Sequence, residues 1–247
     1  MPKYIDLTQP FFNGMLYNWY IPEVPKPHIL TIRKGEPGND RLGFQEILTS
    51  THIGTHIDAQ KHWDFSKKAI DEYPIERFIS TAVCIDFSSV SPMSEISLDL
   101  FKEEKERMGG DILHGDVVLF YTGYGKFFES NYHKYYEQPY LSTELAKYLV
   151  KQEISIVGID GHTVDKPYSL RSVTFVPGIE REKSFMSPDG PNQDSVHDIL
   201  LQSDILIIEH MANLNMVANR RFNLIVAPIK LRGGDGAPVR CIGVLDE

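Results

Sequence analysis

Residues 51–63 read THIGTHIDAQKHW, with His52, His56, Asp58 and His62 packed into one short stretch. Imidazole nitrogens and a carboxylate are donors that Zn²⁺, Mn²⁺ or Fe²⁺ accept. Two imidazoles with one carboxylate leave coordination positions open, as catalytic sites do and closed structural sites do not. The four residues share parity, so a plain strand would point them all to one side. It would also hold His52 and His56 about 13 Å apart, at ~3.3 Å per residue. Ligands of one ion bond at about 2.0–2.2 Å, so that separation cannot be bridged. A shared ion therefore requires a bend, and Gly54 is the residue that permits one. His56 and Asp58 are close enough on one strand face, whereas joining Asp58 to His62 again needs a turn.

The elements that must position this stretch are mixed. Strand-like runs include ILTIRK (29–34), FQEILTS (44–50), TAVCIDFS (81–88), DVVLFYTG (116–123), ISIVGID (154–160), DILIIEH (204–210) and RFNLIVAPIKL (221–231). Several are continuously apolar and end in a polar residue, which suggests strands covered on both faces. Helices are expected over 98–110, closing at a Gly pair, over 142–153 behind Ser142 or Thr143, and over 194–204 with Val196, Ile199 and Leu200 on one stripe. Helix-then-strand recurs twice, so a mixed α/β domain follows, and no linker divides the chain. The proline-rich segment 17–28 reads as an ordered arm. GGDG (233–236) lacks the Lys-Ser/Thr of a P-loop and reads as a tight turn.

The chain has 247 residues and a formal charge of −9. An acidic surface argues against non-specific binding to nucleic acid or anionic membrane. No stretch approaches a membrane span or a signal peptide, so the cytoplasm is the expected location. Cys84 and Cys241 both sit in apolar settings and read as buried structural thiols rather than a disulfide or redox pair.

The motif H-I-G-T-H-I-D-A-Q-K-H (52–62) resembles the H-x-G-T-H-x-D-x-P-x-H signature of the metal-dependent cyclase-like hydrolases, the family of bacterial kynurenine formamidase and isatin hydrolase. One departure is Gln60, where the family usually has Pro. Further segments agree in order along the chain. IDLTQPFFNGM (5–15) resembles the family's opening strand and turn, and GIDGHTVD (158–165) its G-I-D-x-x-S-x-D segment. VHDILLQSDILIIEHMANL (196–214) resembles the family's block of H-x-x-L-L followed by E-x-L-x-N-L, and GGDGAPVRCI (233–242) the G-x-D-G-S-P-V-R turn. The resemblance implies a swivelling β/β/α fold in a single domain spanning 1–247, usually a homodimer or higher oligomer, with the 17–28 arm as a plausible contact.

It also implies roles. His52, His56 and Asp58 resemble the ligands of a first metal, and His197 and Glu209 those of a second in binuclear members, with the aspartate bridging. His62 resembles the proton-transfer histidine. The cofactor is then a divalent metal, Zn or Mn, one or two ions per chain. Glu209 at the end of an apolar run fits, because a carboxylate there is costly unless paired or metal-bound. The function implied is hydrolysis of a small cyclic or formyl amide by metal-activated water, with His62 moving the proton. A lactone hydrolase, a lyase or dehydratase on the same site, and a non-catalytic metal-binding protein are the alternatives. Asp160 and Asp165 read as loop-fixing hydrogen-bond acceptors, His162 as a loop histidine, and His210 has no supporting pattern. Trp19, Phe11, Phe12, Trp63 and Phe65 are candidates for an aromatic pocket. The tyrosine-rich segment 124–140 is extra length that could reshape it.

Overall fold

A computed structural model describes residues 1–15, 27–33, 43–167 and 194–245; Trp19 and most of the 17–28 arm lie outside them. The strands are β1 (Lys3–Asp6), β2 (His28–Arg33), β3 (Phe44–Leu48), β4 (His56–Asp58), β5 (Ile79–Asp86), β6 (Glu95–Ile96), β7 (Val117–Tyr121), β8 (Tyr140–Leu141), β9 (Ile156–Ile159), β10 (Leu206–Glu209), β11 (Arg220–Pro228) and β12 (Gly236–Leu245). The α-helices are α1 (Leu98–Met108), α2 (Tyr132–Tyr135), α3 (Thr143–Lys151) and α4 (Val196–Gln202).

Eight strands run in the order β1-β12-β11-β5-β7-β9-β10-β4, and β4 also pairs with β12, so the sheet closes into a barrel with β1 on its flank. β5, β7, β9 and β10 are parallel neighbours. The connections between them carry α1, α3 and α4, as parallel strands require a crossover. Alternation explains the continuous apolar runs. Val117 and Leu119 of β7 point into a cluster with Ile57, Ile156, Leu206, Ile208, Leu224 and Cys241. Val118 and Phe120 point the other way, into a cluster with Phe101 of α1, Leu145 and Leu149 of α3, and Leu200 of α4. Both faces of the strands are thus buried, each large side chain contributing about 1.5–3 kcal/mol.

The helices start where the sequence puts them. Ser97, Ser142 and Ser195 are N-caps whose hydroxyls accept from the amides of Leu100, Leu145 and Asp198. Gly109, at φ 76°, closes α1. Cys84 and Cys241 are free and buried. The segment 124–140 folds into a short turn and α2, which drives Tyr135 fully out of solvent.

Candidate metal centre

β4 is three residues long and lies antiparallel to β10, with Glu209 opposite His56. Ile57 and Ile208 face the barrel interior, so His56, Asp58 and Glu209 occupy the opposite face, beneath α4. Gly54 takes φ +61° and turns the chain just before β4, which brings the rings of His52 and His56 to 5.1 Å, centroid to centroid. The bend required by the spacing is therefore present at the residue expected to make it. A 3-10 turn at Gln60–His62 folds the chain back and lays the His62 ring, tilted, against His52 with centroids 3.8 Å apart. Gln60, in place of the family proline, holds this turn to α4 by donating its side-chain amide to the Leu201 carbonyl. The first turn of α4 delivers His197.

The donors converge on Asp58, which is fully buried. Its Oδ1 lies 2.6 Å from His52 Nδ1 and 3.3 Å from His56 Nε2. Its Oδ2 lies 3.7 Å from His197 Nε2. Glu209 faces the same space, with Oε1 3.3 Å from His197 Nε2 and Oε2 3.6 Å from His56 Nε2. One carboxylate thus stands between two sets of donors, the arrangement a bridging ligand needs.

Ring orientation is fixed from behind. His56 Nδ1 donates to the Gly54 carbonyl at 2.8 Å, and His197 Nδ1 to Asp165 Oδ2 at 2.6 Å. Each bond commits Nδ1 and leaves Nε2, once free of its proton, to turn a lone pair toward the centre, the usual support of a metal-bound imidazole. Two buried carboxylate oxygens at the centre have no hydrogen bond: Asp58 Oδ2 and Glu209 Oε1. Buried carboxylate oxygens are rarely left unpartnered, because each costs its full desolvation. A cation among them supplies the missing partner, so the residues present fit a divalent ion.

Electrostatics show the same accumulation of opposite charge. Burial opposes protonation of His52, but the carboxylates of Asp58 and Asp235 outweigh it and push the ring up to about 10. Burial also opposes the charge on His197, and the carboxylates of Asp165, Asp58 and Glu209 around it raise it well above the ordinary value. Asp58 is held well below the carboxylate range despite burial, because His62, His52 and His56 surround it. Burial and the His52 charge lower His62, which is 29% exposed and the most open of the four imidazoles. It is therefore neutral and reachable near pH 7.

The sequence matches the family described as "Putative cyclase" over residues 5–166. The chain belongs to the putative cyclase family. This cyclase-family chain is 27% identical over 242 residues to a kynurenine formamidase of Bacillus cytotoxicus, covering 97% of this chain and 96% of the relative. It superposes on isatin hydrolase A of Ralstonia solanacearum with a TM-score of 0.81 at 20% identity, covering 99% of this chain and 92% of the other, a likeness of fold. It also superposes on a potential metal-dependent hydrolase with cyclase activity, with a TM-score of 0.72 at 26% identity over the whole of both chains.

Around the six residues expected from its sequence, the cyclase fold gathers three more. Asp165, expected as a loop-fixing acceptor, accepts the Val196 amide and the His197 ring as well. Asp235, inside the turn read as GGDG, places Oδ2 3.1 Å from His52 Nε2 and 3.9 Å from His62 Nδ1. His210 follows Glu209, and strand parity alone would point it away from the centre. However, β10 ends at Glu209 and His210 adopts φ 56°, so its ring turns back beside His56 and Glu209. Only the end of the strand reveals that reversal.

The other candidates are placed elsewhere. Asp160 accepts from the amides of Thr122, Gly123 and Gly125, as a loop-fixing residue does. His162 is a buried loop residue packed on Tyr136, and burial lowers its pKa to about 3. Trp63 stacks on His197 at 5.4 Å, Phe11 and Phe12 pack near Tyr135, and Phe65 is exposed.

Proposed function

We propose that this chain is a metal-dependent hydrolase cleaving the C–N bond of a small formyl or cyclic amide. The observation that carries this reading is the fully buried Asp58, set between His52 and His56 on one side and His197 and Glu209 on the other, with Oδ2 and Glu209 Oε1 unpartnered. His52, His56 and Asp58 would hold one ion; Asp58, His197 and Glu209 a second, of Zn or Mn type. Such an ion supplies Lewis acidity, which acidifies water and polarises a carbonyl. The similarity to a kynurenine formamidase along nearly the whole chain supports a formamide or related amide as substrate.

The chain's own residues supply the proton chemistry. His62, neutral and partly open, takes the proton of the attacking water and returns it to the leaving nitrogen. Asp235 faces His52 and His62 and holds both rings. Trp63 covers the His197 side. We also infer a cytoplasmic homo-oligomer. The paired strands β2 and β3 expose Leu30, Phe44, Ile47 and Leu48, apolar surface that a second subunit would cover. Among the described residues no helix is long and apolar enough to cross a membrane.

The test is metal quantification, then hydrolysis assays on N-formylkynurenine, isatin and simple lactones, before and after chelation. Amide hydrolysis that disappears with the metal and returns on its restoration is expected, with products whose summed mass exceeds the substrate's by one water. Activity indifferent to complete metal removal would overturn the reading. His62→Ala is expected to keep the metal and lose about 10²–10⁴-fold in kcat. Loss of the metal in that variant would make His62 a ligand instead.

A further inference from the structure

We propose that His210, oriented by Tyr135, supplies a further ligand nitrogen on the Glu209 side of this centre. The inference rests on the reading of the centre as an ion site and deepens it. The family-like segment at 196–214 leaves the position after the glutamate open, so the assignment comes from this chain's own packing.

His210 is buried, and a ligand atom of its ring lies within 4.8 Å of those of His56 and Glu209. Donors around one tetrahedral ion bonded at about 2.0–2.1 Å lie about 3.4 Å apart, so side-chain movement on the order of 1 Å closes the set. The main chain that aims the ring is pinned on both sides. The His210 amide donates to the Gly161 carbonyl at 2.8 Å, and Thr55 Oγ1 donates to the His210 carbonyl at 2.6 Å. Thr55 lies between the bend at Gly54 and the ligand His56, so the metal motif itself holds His210 in its left-handed conformation. A histidine there is strained backbone, of the kind that persists where surroundings over-determine it.

The ring is then fixed from behind. Tyr135 Oη lies 2.8 Å from His210 Nδ1, which leaves Nε2 for the centre. Tyr135 is itself fully buried, stacked on His210 with Phe128 against its edge. Packing alone would be served better by Phe and Leu at these two positions, since a buried hydroxyl and a buried ring nitrogen are costly without partners. The pair repeats, with a tyrosine, the support that Asp165 gives His197. It also gives the 124–140 segment a purpose at the site, since α2 carries Tyr135 to the centre.

The experiment is Co²⁺ titration of metal-free wild type, His210→Ala and Tyr135→Phe, followed by visible absorption and by competition with a chromophoric chelator. The Tm of each metal-free protein reports the fold. Wild type is expected to bind Co²⁺. His210→Ala is expected to lose roughly 100-fold in affinity for one ion, with an altered absorption band, and Tyr135→Phe roughly tenfold. If His210→Ala fails to fold, Tyr135→Phe decides. Wild-type affinity and spectrum in the folded variants would overturn the inference and leave the ion site standing. Absence of Co²⁺ uptake by wild type would overturn both.

Discussion

Each ring at the centre has one nitrogen already committed. His56 gives Nδ1 to a backbone carbonyl and His197 gives Nδ1 to Asp165, so only Nε2 can face an ion. His52 differs, because carboxylates lie at both of its nitrogens. Its raised pKa has a consequence for the metal-free protein. The stabilisation from the charged His52 ring is fully present below its ordinary 6.5 and is lost as pH rises toward about 10. Asp58 and Asp235 are depressed, so their contribution is present above the ordinary 3.8 and is lost on acidification. His62, His162 and His210 are held below their ordinary value by burial, so their contribution is lost as pH falls below 6.5. Chelated protein should therefore melt highest near pH 6.5, lower on acidification, and progressively lower toward about pH 9.5. His52→Gln should flatten the alkaline slope, as read by Tm across that range. An unchanged slope would mean that His52 is not the group responsible. Metal affinity should run the opposite way on the alkaline side, rising with pH as the protons on His52 and His197 are released.

At the scale of elements, the site depends on three short pieces held by long ones. β4 is only three residues, yet it is pinned between β10 and β12. Gly236 of β12 sits opposite Asp58, and a Cβ there would lie 2.6 Å from the Ile57 carbonyl and 2.8 Å from His52 Cε1. Gly236→Ala must therefore push β4 or the His52 ring. We expect a loss of about 1–3 kcal/mol in stability and weaker metal binding, read by Tm and chelator competition. Wild-type values for both would show that the His52 ring has room to move. Gln60 illustrates the opposite case. Proline suits the start of a helical turn, and the Leu201 carbonyl also accepts the Asp204 amide. The turn that carries His62 thus has two ways of being built, by a family proline or by this side-chain bond.

At the scale of the whole molecule, the barrel closes through β4, the strand that carries His56 and Asp58. On the proposed ligand set, binding and barrel closure are coupled. We propose that the chain unfolds as one domain, with a single thermal transition that rises as metal is added. Free metal at about 100 times its Kd adds about 2.7 kcal/mol. Calorimetry with and without chelator checks this. Two separate transitions, or a transition indifferent to metal, would contradict it.

The sequence by itself determined most of the strands, the capped helices and the donor types, but not β4 or β12, whose first residue, Gly236, falls in the stretch expected to be a tight turn. Period-two alternation, serine caps and a left-handed glycine are local physics, and they placed His52, His56, Asp58 and the bend at Gly54 in one reading. His197 and Glu209 were reachable through the resemblance to the family and through the cost of a carboxylate ending an apolar strand. Asp165, Asp235, His210 and Tyr135 were legible only after folding. Each acts across more than thirty residues of chain or through a reversal at a strand end. Local periodicity cannot report which loops a closed barrel brings together. Tertiary structure decides that, because the closure of β4 onto β10 and β12 sets which polar atoms are buried and therefore which of them need a partner.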